Sequence, residues 1–166
     1  DDLSDGAQLA NAIDVDLAAG TLTSGGDAQT LVSIEDVLGT AFADNIAGDS
    51  LDNVLDGAAG NDSISGLGGN DELTDTEGDN TLEGGAGNDT LTAGDGADSL
   101  VGGDDDDLLD AGAGADDVQG GDGNDTILDF EKGIDSNGLV DSELVITALT
   151  QPQDRANPLL AVADSG

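Results

Sequence analysis

The sequence predicts an all-β fold: a right-handed parallel β-roll, that is, a β-helix or solenoid of glycine-rich nonapeptide repeats with two repeats in each coil. Read in blocks of nine from Gly39 to Leu128, the chain gives ten consecutive units in phase. The eighth place of every unit is aliphatic, the sixth is Asp or Asn, and the first and fourth places are each Gly in seven units. A fixed short period of this kind is typical of a solenoid, in which each unit needs its neighbours to complete a core.

The composition indicates that such a fold needs a cation. The 166 residues include 38 Asp and Glu but only two basic residues, Lys132 and Arg155, which gives a formal net charge of −36. Few aromatic residues and a high net charge are typical of disordered chains, so the carboxylates must be neutralised before the chain compacts. The same charge argues against nucleic acid and anionic membrane surfaces as partners. No apolar run is long enough for a transmembrane helix, so we expect no membrane insertion.

Residues 1–38 are expected to be lead-in strands that cap the N-terminal end of the roll. The segment from Ile13 to Leu17 alternates apolar and acidic residues, which predicts a strand. Thr23 to Asp27 is expected to be a loop. The segment from Leu31 to Leu38 runs into the first unit with Val37 in the inward register, and Glu35 stands where the repeats have Asp. It therefore resembles a coil without the acidic turn.

Residues 39–128 form the repeat region, in which each unit divides into a glycine-rich turn of six and a strand of three. In such a strand the eighth residue faces one way and its two neighbours face the other. The neighbours are mostly Ser, Thr and other polar residues and should face water. The eighth places should form the core: Ile46, Leu55, Ile64, Leu73, Leu82, Leu91, Leu100, Leu109, Val118 and Ile127. Two units make one coil, so the ten units should make five coils.

The turns have the chemistry of a calcium site. Glycine permits positive φ, so backbone carbonyls can converge, and the sixth residue adds a carboxylate or amide oxygen. Calcium takes six to eight oxygen ligands at about 2.3–2.6 Å, which is more than one turn can supply, so turns of successive coils must share each ion. Same-side turns lie two units apart, and this places the sixth residues in two columns. One column holds Asp44, Asp62, Asn80, Asp98 and Asp116, and the other Asn53, Asp71, Asp89, Asp107 and Asp125.

The fourth places complete the candidate metal site: Gly60, Gly69, Gly78, Gly87, Gly96, Asp105, Gly114 and Gly123. Five turns in each column leave four gaps, so at most about eight calcium ions are expected. Asn53 and Asn80 keep an oxygen but lose the charge, and Phe42 and Leu51 replace the fourth-place Gly, so we expect weaker or missing sites there. Asp105 should either add a ligand or distort its turn. Magnesium fits less well because it demands a tighter octahedron, and the helix-flanked EF-hand pattern is absent.

The repeats resemble the RTX (repeats-in-toxin) family. Two units, Gly84 to Thr92 and Gly120 to Leu128, match the whole pattern G-G-x-G-x-D-x-U-x, and V-D-L-A-A-G at 15–20 and D-F-x-x-G-x-D at 129–135 are similar to flanks common in that family. The resemblance implies export from a Gram-negative bacterium by type I secretion. It also implies a chain that stays unfolded in the low-calcium cytosol and folds outside the cell, in the medium or at the cell surface, with the sixth-place Asp residues and the turn carbonyls as calcium ligands.

Residues 129–166 are expected to be a C-terminal cap and tail. Phe130 is well placed to close the open end of the roll, because terminal repeats need caps. The segment 143–150 is a candidate last strand, whereas Pro152 and Pro158 argue against regular structure beyond it.

Three classes of function remain after these exclusions. The first is a calcium-dependent folding and secretion module, or a structural segment of an adhesin, surface layer or extracellular filament, with other copies of itself or cell-surface components as further candidate partners. A related reading makes it the non-catalytic C-terminal module of a secreted protease, lipase or alginate epimerase. The second is an enzyme, which we do not expect because the chain has no His, Cys or Tyr; a carboxylate pair for glycoside hydrolysis is the remaining option. The third is a disordered calcium buffer or mineral-nucleating tail.

Overall fold

The computed structural model describes residues 11–128, 136–137 and 145–146, and within these residues every regular element is a β-strand. The strands are β1 (Ile13–Asp16), β2 (Thr21–Ser24), β3 (Asp27–Thr30), β4 (Asp36–Leu38), β5 (Asn45–Ala47), β6 (Val54–Asp56), β7 (Ser63–Gly68), β8 (Glu72–Thr74), β9 (Thr81–Ala86), β10 (Thr90–Thr92), β11 (Asp95–Gly96), β12 (Ser99–Asp104), β13 (Leu108–Asp110), β14 (Ala113–Gly114), β15 (Asp117–Asp122), β16 (Thr126–Leu128), β17 (Ser136–Asn137) and β18 (Val145–Ile146). None of the described residues belongs to a helix that could cross a bilayer.

The strands build two main sheets that face each other across the roll. One has nine strands in the order β17-β15-β12-β9-β7-β5-β1-β2-β3, and the other has seven in the order β18-β16-β13-β10-β8-β6-β4. Within the repeats every pair is parallel and joins residues 18 apart, for example Leu82 with Leu100 and Leu91 with Leu109. Because 18 residues are two units, each coil contains two repeats. The prediction of a parallel solenoid is thereby confirmed.

Three places of each nine-residue unit face the interior. All ten eighth-place aliphatic side chains are at most 1 % exposed, which confirms the predicted core. The sixth-place Asp and Asn side chains are also buried, and so is the first place in every unit from Gly48 onward. The interior is therefore a row of aliphatic side chains flanked by carboxylates and by very small residues.

The two sheets use the nonapeptide differently. We number the units 1 to 10 from Gly39. The division into a turn of six and a strand of three holds for the seven-stranded sheet, but it is wrong for β7, β9, β12 and β15, which have six residues each. In these strands the first three places of units 4, 6, 8 and 10 stay extended and pair from coil to coil, as Gly85 does with Gly103. In units 7 and 9 the third and fourth places form the separate pair β11 and β14 instead.

The lead-in segment joins the roll and contains one element that the sequence did not predict. Val15 stacks in register with Ile46, and Val37, 3 % exposed, stacks with Leu55, as its predicted inward register requires. The loop predicted from Thr23 to Asp27 is wrong except at Gly25 and Gly26, because β2 and β3 form an antiparallel hairpin around those two glycines. Both adopt positive φ, 59° and 92°, which lets the chain reverse within two residues.

The C-terminal predictions are tested only at two short strands. Val145–Ile146 pairs in parallel with β16 and lies inside the predicted last strand at 143–150. The predicted cap residue Phe130, and the segment 129–135 around it, lie outside the described residues.

Candidate calcium-binding turns

The turns stack in two columns, one along each side of the roll. We call the turns of units 1, 3, 5, 7 and 9 the odd column and those of units 2, 4, 6, 8 and 10 the even column. The structure brings the predicted sixth-place residues together within each column as the sequence spacing required. Asp44, Asp62, Asn80, Asp98 and Asp116 follow one another in the odd column, and Asn53, Asp71, Asp89, Asp107 and Asp125 in the even column.

A hydrogen-bond ladder fixes one oxygen of each sixth-place side chain. The backbone N–H of Asp71 donates to Oδ1 of Asp89 at 2.8 Å, and the N–H of Asp89 donates to Oδ1 of Asp107 at 2.8 Å. The same bond recurs every 18 residues in both columns. Except at Asn53, which accepts the N–H of Asp49 in its own unit, each side chain thus holds the preceding coil. The ladder extends to the lead-in strand, where Ile13 N–H donates to Asp44 Oδ1 at 2.7 Å.

In five of these carboxylates the second oxygen is buried and has no hydrogen-bond donor, whereas Oδ2 of Asp44 accepts the N–H of Thr40 at 2.6 Å. The five oxygens without a donor are Oδ2 of Asp62, Asp71, Asp89, Asp98 and Asp107. A buried carboxylate oxygen without a partner is strongly unfavourable, and the chain's only basic residues, Lys132 and Arg155, lie outside the described residues. Within the described residues no basic side chain pairs with these oxygens, and a cation from solution would satisfy several of them at once.

First-place glycines provide the room for these oxygens in the even column. A Cβ on Gly66, Gly84 or Gly102 would overlap Oδ2 of the sixth-place Asp of the same unit. At Gly84 it would also lie 2.7 Å from the carbonyl oxygen of Gly102 in the next coil. Carboxylate and carbonyl oxygens therefore meet in a space that only a glycine leaves open.

Fourth-place glycines are needed for a related reason, the close stacking of turn on turn. A Cβ on Gly78 would overlap the carbonyl oxygen of Gly60 one coil earlier, and one on Gly87 would overlap that of Gly69. The two fourth-place residues that are not Gly in the first coil, Phe42 and Leu51, are 48 % and 54 % exposed.

Asp105 keeps its turn in register with the other turns of the even column. Its φ is 77°, a left-handed conformation that a non-glycine residue adopts at a cost of about 1–3 kcal/mol. The carbonyl oxygen of the preceding Asp104 still accepts the N–H of Gly87 at 3.2 Å, as the third-place carbonyl of the preceding even turn does from Gly69. The Asp105 side chain is exposed, and its predicted role as an extra ligand stays a prediction.

The electrostatics of the even column show how costly its negative charge is. Burial, with the neighbouring carboxylates of the same column, raises the pKa of Asp89 to about 6 and the pKa of Asp107 to about 7. Burial also raises the pKa of Asp71 in the even column and the pKa of Asp98 in the odd column. A bound divalent cation would reverse these shifts, because it favours the ionised form.

The two Asn substitutions behave differently from Asp in the stack. Asn53 Oδ1 accepts the N–H of Asp49 at 2.9 Å, but its Nδ2 is buried without an acceptor. Asn80 Oδ1 accepts the N–H of Asp62 at 3.0 Å, and its Nδ2 donates to the carbonyl oxygen of Gly78 at 3.4 Å. Neither residue offers an anionic oxygen, which supports the expectation of weaker sites beside them.

Two features of the turns were not anticipated from the sequence. The fifth-place residues of the even column form a second ladder on the outer surface, in which Asn88 N–H donates to Asn70 Oδ1 at 2.9 Å and Asp106 N–H donates to Asn88 Oδ1 at 3.1 Å. Its polarity is opposite to that of the sixth-place ladder, so each pair of turns is tied in both directions. The recurrence of Asn and Asp at the fifth place is the sequence pattern that could have predicted this second ladder. The second feature is the buried first-place residue Asp75.

The candidate metal sites are built from backbone as well as side chains. Within the described part of the chain no three His, Cys, Asp or Glu side chains converge to hold a metal by themselves. Each gap between turns instead combines carboxylate oxygens with carbonyl oxygens, the hard donor set that calcium prefers. The residues present thus fit calcium and offer no nitrogen or sulfur ligand to a softer metal.

Comparison with known families agrees with this geometry. Four overlapping copies of a family model described as the RTX calcium-binding nonapeptide repeat match residues 38–73, 65–100, 74–109 and 92–127. Together the four copies span more than half of the chain. A comparison with curated proteins gives no match.

Proposed function

The chain belongs to the RTX calcium-binding nonapeptide repeat family, and we propose from this that it is a calcium-dependent folding module of a secreted bacterial protein. In this proposal the chain is unfolded where calcium is scarce and forms the roll outside the cell. RTX repeats are typical of secreted bacterial proteins, which supports an extracellular or cell-surface location and type I secretion.

The row of buried Oδ2 atoms without hydrogen-bond donors supports the proposal best. Folding without a cation would bury adjacent negative charges at successive coils, as at Asp71, Asp89 and Asp107, with no counter-charge in the repeats. Because the ligands converge only in the folded roll, calcium binding and folding should be one event. Up to about eight ions could bind, one for each gap between stacked turns.

A calcium titration of the purified chain tests the proposal. Far-ultraviolet circular dichroism should change from a coil spectrum in chelator to a β spectrum, with a midpoint near the ~10⁻⁴–10⁻³ M of extracellular modules. Magnesium at the same concentration should not replace calcium. A β spectrum that survives exhaustive chelation would contradict the proposal, and a coil spectrum at saturating calcium would favour a disordered calcium buffer.

We propose further that the chain has no catalytic activity of its own and serves a structural or secretion-linked role. The regularly spaced sixth-place carboxylates are buried between stacked turns, which leaves them out of reach of a substrate. The role fits a segment of an adhesin, surface layer or filament, or the C-terminal module of a secreted enzyme. Glycoside hydrolase or epimerase activity of the isolated chain would contradict it.

A further inference from the structure

Unit 5 carries a carboxylate in the interior at a place where no other unit has one. From Gly48 onward the first place is buried in every unit and is Gly or Ala in all of them except unit 5, which has Asp75. Asp75 is 0 % exposed. A fully buried Asp in the least roomy place of the repeat is costly unless something pairs with it.

The contacts of Asp75 show where its partner has to be. Its Oδ1 accepts the N–H of Glu77 at 3.4 Å, whereas its Oδ2 is buried and has no hydrogen-bond donor. That Oδ2 lies against Gly57, the first residue of unit 3, where a Cβ would overlap it. The same Cβ position is 2.8 Å from Oδ2 of Asp62, which is also buried without a donor. Two undonated carboxylate oxygens from successive odd-column units therefore converge beside Gly57.

The same unit lacks the carboxylate that the repeat normally supplies. Its sixth residue is Asn80, whose Oδ1 is taken by Asp62 N–H and whose Nδ2 is taken by the carbonyl oxygen of Gly78. Asn80 thus keeps the ladder intact but has no anionic oxygen to offer. Unit 5 combines the loss of the sixth-place charge with the gain of a first-place charge, and no other repeat has either change in the odd column.

We propose that Asp75 is a calcium ligand that replaces the carboxylate missing at Asn80, so that Asp62 and Asp75 together hold an ion between units 3 and 5. The inference rests on the proposed function, since it assigns a ligand within a calcium-binding roll. Two carboxylates from different coils give this site the same charge as a site between two sixth-place Asp residues. Burial and the neighbouring Asp62 both raise the pKa of Asp75, as expected for carboxylates that face each other without a cation.

The site also explains a requirement for glycine in unit 3. Gly57 is the residue that both Oδ2 atoms approach, and any side chain there would displace one of them. In unit 7 the corresponding first place holds Ala93, and the residue 18 places further on is Ala111, which has no carboxylate to offer.

Moving the carboxylate within unit 5 tests the proposal. Asp75→Asn keeps the size of the side chain and removes the charge, and Asp75→Gly restores the commonest first-place residue. The double variant Asp75→Gly/Asn80→Asp returns the carboxylate to the sixth place. Glu83→Gln, which removes one exposed charge at the end of the same unit, is the matched control. Bound calcium is measured by equilibrium dialysis with radioactive calcium, and folding by circular dichroism during calcium titration.

Both single variants should bind about one ion fewer than the parent and fold at a calcium midpoint roughly threefold or more higher. The double variant should recover the parent's stoichiometry, and the control should match the parent. Unchanged stoichiometry and midpoint in Asp75→Asn, or easier folding of Asp75→Gly, would overturn the inference, because Asp75 would then be only a tolerated buried charge or a site for a shared proton. A parent chain that binds no calcium would overturn the proposed function and this inference with it.

Discussion

The even and odd columns of turns are built from the same nonapeptide but are not equivalent. In units 4, 6, 8 and 10 both the second and the fourth residues have positive φ, for example 117° at Gly85 and 120° at Gly87. In the odd column positive φ at these places is irregular, and unit 7 has it at neither. Every even unit begins with Gly, whereas units 5, 7 and 9 begin with Asp75, Ala93 and Ala111. The structural repeat is therefore the 18-residue coil, whose two turns differ.

Ligand geometry determines which first-place residues each turn tolerates. In the even column Oδ2 of the sixth-place Asp lies against the first-place glycine of its own unit, so a methyl group does not fit. In the odd column the first place accepts Ala in units 7 and 9, with Ala93 4 % and Ala111 1 % exposed, although Gly57 of unit 3 has no room for a side chain. We infer that the even column holds the more uniform set of calcium sites, and the following predictions test this difference.

The largest effect is expected from Asp89→Ala, in the middle of the even column. It removes a calcium ligand and leaves the buried N–H of Asp71 without its acceptor, which together should cost about 3 kcal/mol at saturating calcium. Asp98→Ala should cost less, because Asp98 neighbours Asn80 and so borders one site that already lacks a sixth-place charge. Both variants should raise the calcium midpoint measured by circular dichroism.

Asp89→Asn separates the two contributions. It keeps an Oδ1 acceptor for Asp71 but removes the charge. Its stability at saturating calcium should therefore lie between that of the parent and that of Asp89→Ala. Folding of Asp89→Ala and Asp98→Ala at the parent's calcium concentration would show that the ligand assignment is wrong.

Substitutions at the first place of a unit should give the next largest difference in stability between the columns. Gly84→Ala would place a methyl group on Asp89 Oδ2 and should cost about 2 kcal/mol, because the turn must open to accommodate it. Ala93→Gly in the odd column should cost no more than about 1 kcal/mol, the usual penalty for added backbone freedom. Urea unfolding in saturating calcium measures both. Equal costs would remove the distinction between the columns.

The sequence predicted the coiling of the chain better than it predicted the structure of the turns. Ten aliphatic eighth places can be buried together only if the chain coils every two units, so the sheets and the core from Ile46 to Ile127 followed from the period. The hairpin β2 and β3 was missed, because Thr21 to Thr30 lacks the strong apolar alternation that marks a strand. The exchange of charge between Asp75 and Asn80 was missed because units were compared place by place. The available signal was an Asp at the first place and an Asn at the sixth place of the same unit.

Acidification should partly replace calcium, but it should produce less β structure than calcium does. In the metal-free fold the pKa of Asp89 is about 6 and that of Asp107 about 7, against 3.8 for an ordinary Asp. The fold therefore binds more protons than the unfolded chain between these values, so its stability is greatest below about pH 4 and is lost as pH rises through 6 to 7. In chelator, circular dichroism at about pH 5 should show more β structure than at about pH 7.5.

A matched pair of variants tests whether buried carboxylates cause that pH dependence. Asp107→Asn should reduce the pH dependence, since this side chain no longer titrates while Asp75 and Asp89 still do. Glu83→Gln on the outer strand face should leave the pH dependence as in the parent. A metal-free chain that remains fully unfolded at the lower pH would contradict the prediction.

The smallest effect concerns the outer fifth-place ladder, which runs without a break from Asp52 to Asn124 in the even column but is interrupted by Ala97 in the odd column. Asn88→Ala removes the acceptor of Asp106 N–H, an exposed bond of 3.1 Å, and should cost about 0.5–1 kcal/mol. Ala97→Asn should stabilise the odd column by a similar or smaller amount, because it gives the next coil an acceptor where Ala97 has none. Urea unfolding in saturating calcium would show both changes with unaltered calcium stoichiometry, since neither side chain faces the ions. A loss of bound calcium in Asn88→Ala would instead place the fifth residue among the ligands.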